Sequence, residues 1–267
     1  MKNIIIYIVT FVIVLTSLTG CQSEEMKTAI SEYDSLVKRV GERNAELDNV
    51  IFEAESLIHE NNPILDETLI PLLETAISEG KAVKEQIPER PKQIEEIIAL
   101  SKKLESITYS AQIKSVKEKQ KELEISIKKY SLVNNPTEDY IIECLNKVGS
   151  ITGISAVTEE NDPNGKLNKA GGYTAQIYFS SELINQNEVL GSTIIEKGTN
   201  CGGSIEVYAK REAAEARNEY LATFDGGLIA SGSHTVIGTV VIRTSNELTA
   251  SQQKALETDI IEALTSI

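Results

Sequence analysis

The sequence predicts an α+β protein in two parts. The first is an N-terminal antiparallel three-helix bundle or coiled coil. The second is a C-terminal domain with a mainly antiparallel four-stranded sheet and three helices. Three observations carry this expectation. Residues 24–60 space their apolar side chains by fours and threes, the repeat of packed helices. The pattern breaks at Asn134-Asn135-Pro136, and beyond Gly149 several short segments alternate apolar and polar residues with the period of a strand. A chain of 267 residues with 41% hydrophobic and 25% charged residues has the composition of a folded protein.

The chain opens on an apolar run, Ile4 to Leu18, behind the single positive charge of Lys2. About 15 apolar residues are short for a membrane span, which needs ~20, and suit the core of a secretory signal peptide. The run ends in Leu18-Thr19-Gly20-Cys21, with a small residue directly before the cysteine. This box resembles the processing site of bacterial lipoproteins. The resemblance implies cleavage between Gly20 and Cys21 and thioether diacylation of Cys21, with acyl chains such as palmitate. It places the protein on the extracytoplasmic face of the cell membrane, held by its lipid. Two chains make the attachment stable, where a single myristoyl-length chain binds only marginally. The expected division is a signal peptide at 1–20, a lipidated N-terminus and helical bundle at 21–133, a linker at 134–136 and an α+β domain at 137–267.

In the first helix Met26, Ile30, Tyr33, Val37, Val40, Asn44, Leu47, Ile51, Ala54 and Ile58 form the repeat, and Ala29, Leu36, Val50 and Leu57 widen it. So broad a stripe favours three or more helices over a two-stranded coil. Asn44 is its polar exception, a register-setting core residue or a partner contact. Asn61-Asn62-Pro63 ends this helix and opens a second, expected to run to about Ile87 with Pro71 kinking it or splitting off its first turn. Pro88-Glu89-Arg90-Pro91 forms a turn. A third helix is expected from about Lys92 to Ser131, its seam shifting register after Ala111.

In the second part Asn135 is expected to cap a helix that begins at Pro136 and faces Ile141, Cys144, Leu145 and Val148 inward. Strands are expected at 151–157, 173–179, 204–209 and 235–243, and Glu188–Lys197 is open between strand and loop. Helices follow at 210–224 and from the capping box Thr249-Ala-Ser-Gln252 to about Leu264. The order places the helices on one face of the sheet. The segments Gly171-Gly-Tyr-Thr-Ala, Cys201-Gly-Gly-Ser-Ile-Glu-Val-Tyr and Gly232-Ser-His-Thr-Val resemble uncharacterised C-terminal domains of Gram-positive lipoproteins. The resemblance brings no activity and no functional residue with it.

Charge and composition exclude several functions. Net charge is −14, with −6 in 22–133 and −9 in 134–267, so nucleic acid and anionic headgroups are repelled from both halves. The expected membrane contact is the lipid on Cys21. The sequence has no Trp and only 5% aromatics. Lys114, Lys117, Lys121 and Lys128 share one side of the third helix, as a solvated face or as a contact for an anionic wall polymer.

Several groups have residue types that could form a site. Glu160-Asn161-Asp162-Pro163-Asn164-Gly165 has the opening of a calcium loop, but Gly171 stands where the bidentate Glu belongs, and Pro163-Asn164-Gly165 is an ordinary turn. Cys201 and His234 have no nucleophile-base signature around them, and His59 has no metal-ligand spacing. Tyr173, Tyr178, Phe179 and Tyr208 are the material for a binding face, with Tyr178 and Phe179 on opposite faces of one strand and one of them expected at the surface. No catalytic residue, metal ligand or cofactor is expected. The reading is a lipid-anchored protein whose helical spacer carries an α+β domain that binds an envelope protein or wall polymer; the alternative is an envelope enzyme or enzyme inhibitor.

Overall fold

The computed structural model describes residues 24–226 and 232–267 in full and residues 2–23 by their backbone, as the start of the first helix. The side chains of Leu18-Thr19-Gly20-Cys21, and Gly227 to Ser231, lie outside the described residues. The chain forms two compact units, residues up to Asn61 with Thr68–Glu122, and Asn62–Glu67 with Leu123–Ile267. The division thus falls within a helix, ahead of the expected linker at 134–136.

The first unit has helices α1 (Lys2–His59), α2 (Leu69–Val83), α3 (Ile94–Ser106) and the start of α4 (Ser110–Leu132). Along α1, Ala29, Tyr33, Leu36, Val40, Leu47, Val50, Ile51 and Ala54 are buried, a stripe as wide as the repeat implies. Antiparallel pairing is written in its contacts. Lys81 meets Glu55, Lys84 meets Asp48 and Arg90 meets Asp34, so partner numbers fall as the chain advances. Gly80 lets α2 close on α1, since a Cβ there would sit 3.3 Å from Ile51 Cδ1.

Two expected helices are shorter than their apolar spacing implied. The second stops at Val83, and residues 84–93 run extended along α1. Tyr33 donates to the Pro88 carbonyl at 2.7 Å and Asn44 to the Glu85 carbonyl at 3.1 Å, while Pro88 and Pro91 hold no amide hydrogen for a helix. Asn44 is therefore a structural residue of this unit. The third expected helix breaks into α3 and α4 at Ile107-Thr108-Tyr109. Both apolar residues of the break turn inward, and the Glu85 amide donates to the Tyr109 hydroxyl at 2.9 Å. The register shift in the sequence marks this break. Pro71 occupies the first turn of α2, where its missing amide costs nothing.

The second unit is built on a five-stranded antiparallel sheet, β1 (Ile151–Ala156), β2 (Ala175–Ser181), β3 (Gly202–Val207), β4 (His234–Ile237) and β5 (Val240–Thr244), in the order β1-β2-β3-β5-β4. The fifth strand arises inside the segment expected as one strand. Gly238, at φ +58°, turns it into a hairpin in which Ile237 pairs with Val240. The segment left between strand and loop holds the short helix α6 (Ile194–Lys197), capped by Thr193 and Glu196. Helix α5 (Glu138–Leu145) is capped by Thr137 rather than Asn135; Asn135, at φ +51°, donates its amide to Thr239 instead.

Helices cover both faces of the sheet, not one. On the first face α5 and α8 (Ala250–Leu264) enclose a core that includes Cys144, Leu145, Ile177, Phe179, Ile205, Ile242, Leu256 and Ile260. On the second, α7 (Arg211–Ala222) packs against β4 and β5, with Ala214 and Leu221 beside Tyr173, Tyr208 and Val241. Tyr178 and Phe179 are consequently both buried, and neither is the surface residue expected.

Candidate ligand-binding cleft

Alternation along β2, β3 and β5 gives the second face of the sheet a polar set: Gln176 and Tyr178, Ser204 and Glu206, and Arg243. All are buried. Burying such groups costs several kcal/mol each unless they are bonded. Gln176, Tyr178, Glu206 and Arg243 are bonded, in two sets, while the Ser204 hydroxyl is buried without a partner among the described residues.

The first set centres on Glu206, whose side chain has no exposure. Arg217 reaches it from α7 with two bonds, Nε to Oε2 at 2.8 Å and Nη2 to Oε1 at 2.9 Å. Arg243 of β5 donates to Oε1 at 3.2 Å and the Tyr208 hydroxyl to Oε2 at 2.7 Å. Burial alone would raise the pKa of this carboxyl; the two guanidinium groups and the hydroxyl outweigh it and hold it below the usual carboxylate range. Tyr208, buried and donating to an anion, is pushed far up.

The second set centres on Asp162, in the loop between β1 and β2. Its carboxylate accepts from the amides of Asn164 at 2.9 Å, Lys166 at 2.5 Å and Leu167 at 2.8 Å, and from the Tyr173 hydroxyl. Burial opposes ionisation, but these four donors overcome it and hold the group down at about 2. The aspartate of the calcium-like sequence therefore ties its own loop together. Asn164 extends the set to Tyr173 and Gln176, and Gln176 donates to Tyr178 at 2.8 Å.

Between this loop and α7 lies a cleft of about 550 Å³. Tyr173, Tyr208, Tyr220 and Ala216 line it, with Arg217, Lys166 and Asn164 as its polar members. Tyr173 and Tyr208 meet edge to face, with ring centroids 6.4 Å apart, and Arg217 lies 5.6 Å over the Tyr220 ring. The hydroxyls of Tyr173 and Tyr208 are spent on Asp162 and Glu206. What these two tyrosines offer the cleft is ring carbon.

The other sequence candidates lie apart from the cleft. Cys201 is buried, and its thiol donates to the backbone carbonyls of Gly198 at 3.1 Å and Phe179 at 3.3 Å. Burial raises that thiol to about 11. His234 instead bonds Asn218 at 2.7 Å and meets Asp225 at 3.3 Å. Cys144 belongs to the core and is not bonded to Cys201. His59 is exposed in the last turn of α1. Among the described residues no three His, Cys, Asp or Glu side chains are grouped to hold a metal. None of those residues forms a helix long and apolar enough to cross a membrane.

Glu206 and Arg243 were not singled out in the sequence, because a polar residue on alternate strand positions implies a solvated face, and Arg217 stood unmarked among the polar residues of its helix. The signal was a lone Glu in apolar Ile205–Val207 and a lone Arg in apolar Val240–Ile242–Arg243: opposite charges on neighbouring strands. No known protein family matches the chain, and neither a curated protein nor a solved structure matches it.

Proposed function

We propose that this chain is a membrane-anchored extracytoplasmic lipoprotein, lipidated at Cys21, whose α+β unit binds an apolar or aromatic group of an envelope partner in the tyrosine cleft. The helical unit lies between anchor and binding unit in the chain and acts as the spacer. One observation supports binding above all: Tyr173 and Tyr208 turn their hydroxyls onto the carboxylates of Asp162 and Glu206, and both rings line the cleft. Such a surface gains from excluding water, and aromatic contacts add about 0.5–1.5 kcal/mol each beyond area burial. The neighbouring carboxylates favour binding over catalysis. Four donors occupy Asp162 and four occupy Glu206, leaving both as anions that brace the site rather than move protons.

The test is capture of a partner from detergent-solubilised envelope membranes by the full chain. Ala216 and Tyr220 line the cleft yet are exposed, so Ala216→Trp and Tyr220→Ala change its volume without opening the core. Capture should be lost with Ala216→Trp and weakened about tenfold with Tyr220→Ala. Undiminished capture by both variants, with unchanged melting temperatures, contradicts the proposal.

A further inference from the structure

A second surface lies wholly in the helical unit. Residues of the break and the start of α4, with Arg43 and Glu46 of α1, line a groove of about 610 Å³. Arg43 enters it from α1, and Lys114, Lys117 and Lys121 from α4. Glu46 and Glu118 are its only carboxylates, and the hydroxyls of Thr108 and Ser110 stand among its lining groups.

We propose that this groove binds a linear polyol-phosphate polymer, whose flexible backbone brings one phosphodiester per repeat to the row of cations. Four cations against two carboxylates depart sharply from a chain of net charge −14. Most of that charge is free to act. Among the described residues no carboxylate lies within ion-pair distance of Arg43, Lys117 or Lys121. Lys114 has only Glu118, at 3.7 Å and well exposed, a pair of little energy that a ligand displaces. Arg43 is fixed in place by one donor to the Ile107 carbonyl, leaving the rest of its fork toward the groove.

Spacing makes the site a row rather than a point. Lys114, Lys117 and Lys121 advance by three and four residues, or about 4.5 and 6 Å along α4. A chain with an anion in each repeat satisfies such a row, and a single anion does not. The donors favour phosphate over carboxylate: a planar guanidinium, compact ammonium charges and hydroxyls together suit an oxyanion with several free oxygens. Thr108 and Ser110 share one hydrogen bond of 2.7 Å, so one of their two hydroxyl hydrogens stays available. The acidic remainder of the protein does not override this. At physiological ionic strength charges beyond about 8 Å are largely screened, and the groove's own charges decide.

The probe is a synthetic glycerol-phosphate oligomer, titrated into the full detergent-solubilised chain at several salt concentrations. Inorganic phosphate, polyglutamate and phosphatidylglycerol vesicles serve as the other arms. The oligomer should bind more tightly than all three. Lys117→Ala with Lys121→Ala should weaken it at least about fivefold. The slope of log affinity against log salt should become shallower by about 1.4 for the two lost contacts. Glu46→Gln, also exposed, should tighten binding. An oligomer affinity unchanged in the double variant overturns the proposal. So does equal or tighter binding of polyglutamate, of free phosphate or of the vesicles, and so does failure of the oligomer to bind.

Discussion

Arg217 grips Glu206 through two parallel bonds of 2.8 and 2.9 Å, joining α7 to the centre of the sheet. This fork is the main polar tie between that helix and strand β3, and it forms one wall of the cleft. The cleft's shape depends on it.

Removing one partner should therefore be costly. Arg217→Leu strips Glu206 of its bidentate donor while leaving the buried charge, with Arg243 as partial compensation. A loss of about 2–3 kcal/mol is expected in denaturant unfolding, below the 3–5 typical when a buried pair loses its whole partner. Adding Glu206→Gln should recover part of it. A single-variant loss under about 0.5 kcal/mol contradicts the bracing role.

The same carboxylates set the acid limb of stability. Asp162 is held at about 2, and Glu206 is also depressed below its ordinary value. A depressed carboxyl contributes stability that is complete above its unfolded value near 4 and lost as pH falls through the folded value. Thermal melts of the full chain should thus be flat above about pH 5 and fall toward pH 2. Asp162→Asn should flatten that fall, each titrating carboxylate contributing at most about 1.4 kcal/mol per pH unit. An acid limb identical to wild type would show that Asp162 plays no part.

Two glycines separate backbone strain from collision. Gly171, at φ +72°, has open space around a new Cβ, whereas at Gly238, at φ +58°, it would lie 2.4 Å from the Val133 carbonyl oxygen. Gly171→Ala should cost about 1 kcal/mol, the left-handed penalty alone. Gly238→Ala should cost at least twice that, because the β4–β5 hairpin must move away from Val133. Equal losses in equilibrium unfolding would refute the close approach.

The thiols should be silent while the protein is folded. Cys144 sits in the core and Cys201 under α6 with its thiol raised to about 11, so about a thousandth of Cys201 is thiolate at pH 8. Iodoacetamide should label both only after denaturation. Prompt labelling of either in the native protein contradicts this burial.

Much of this fold was legible in the sequence, and the exceptions share one cause. Heptad spacing found α1, period-two alternation found the sheet, and Thr249 with Gln252 marked the last helix. Local patterns do not state what covers a face. The helices were expected on one face of the sheet, and α7 packs on the other, against β4 and β5, where Arg217 reaches Glu206; this hid the cleft. Apolar spacing likewise continues through Ile107 and Tyr109, although both pack from non-helical backbone. Gly238 divided a strand that its Val and Ile neighbours made look continuous.

The central claim is that the binding unit is tethered to a membrane through Cys21. Its most direct measurement is detergent-phase partitioning of the membrane-extracted protein, wild type beside Cys21→Ala, with the N-terminal peptide weighed by mass spectrometry. The account predicts that wild type enters the detergent phase with a mature N-terminus at a diacylated Cys21. It predicts that the variant remains uncleaved or is released without lipid. A processed Cys21→Ala protein that still enters the detergent phase, or a wild-type Cys21 without acyl chains, would contradict it.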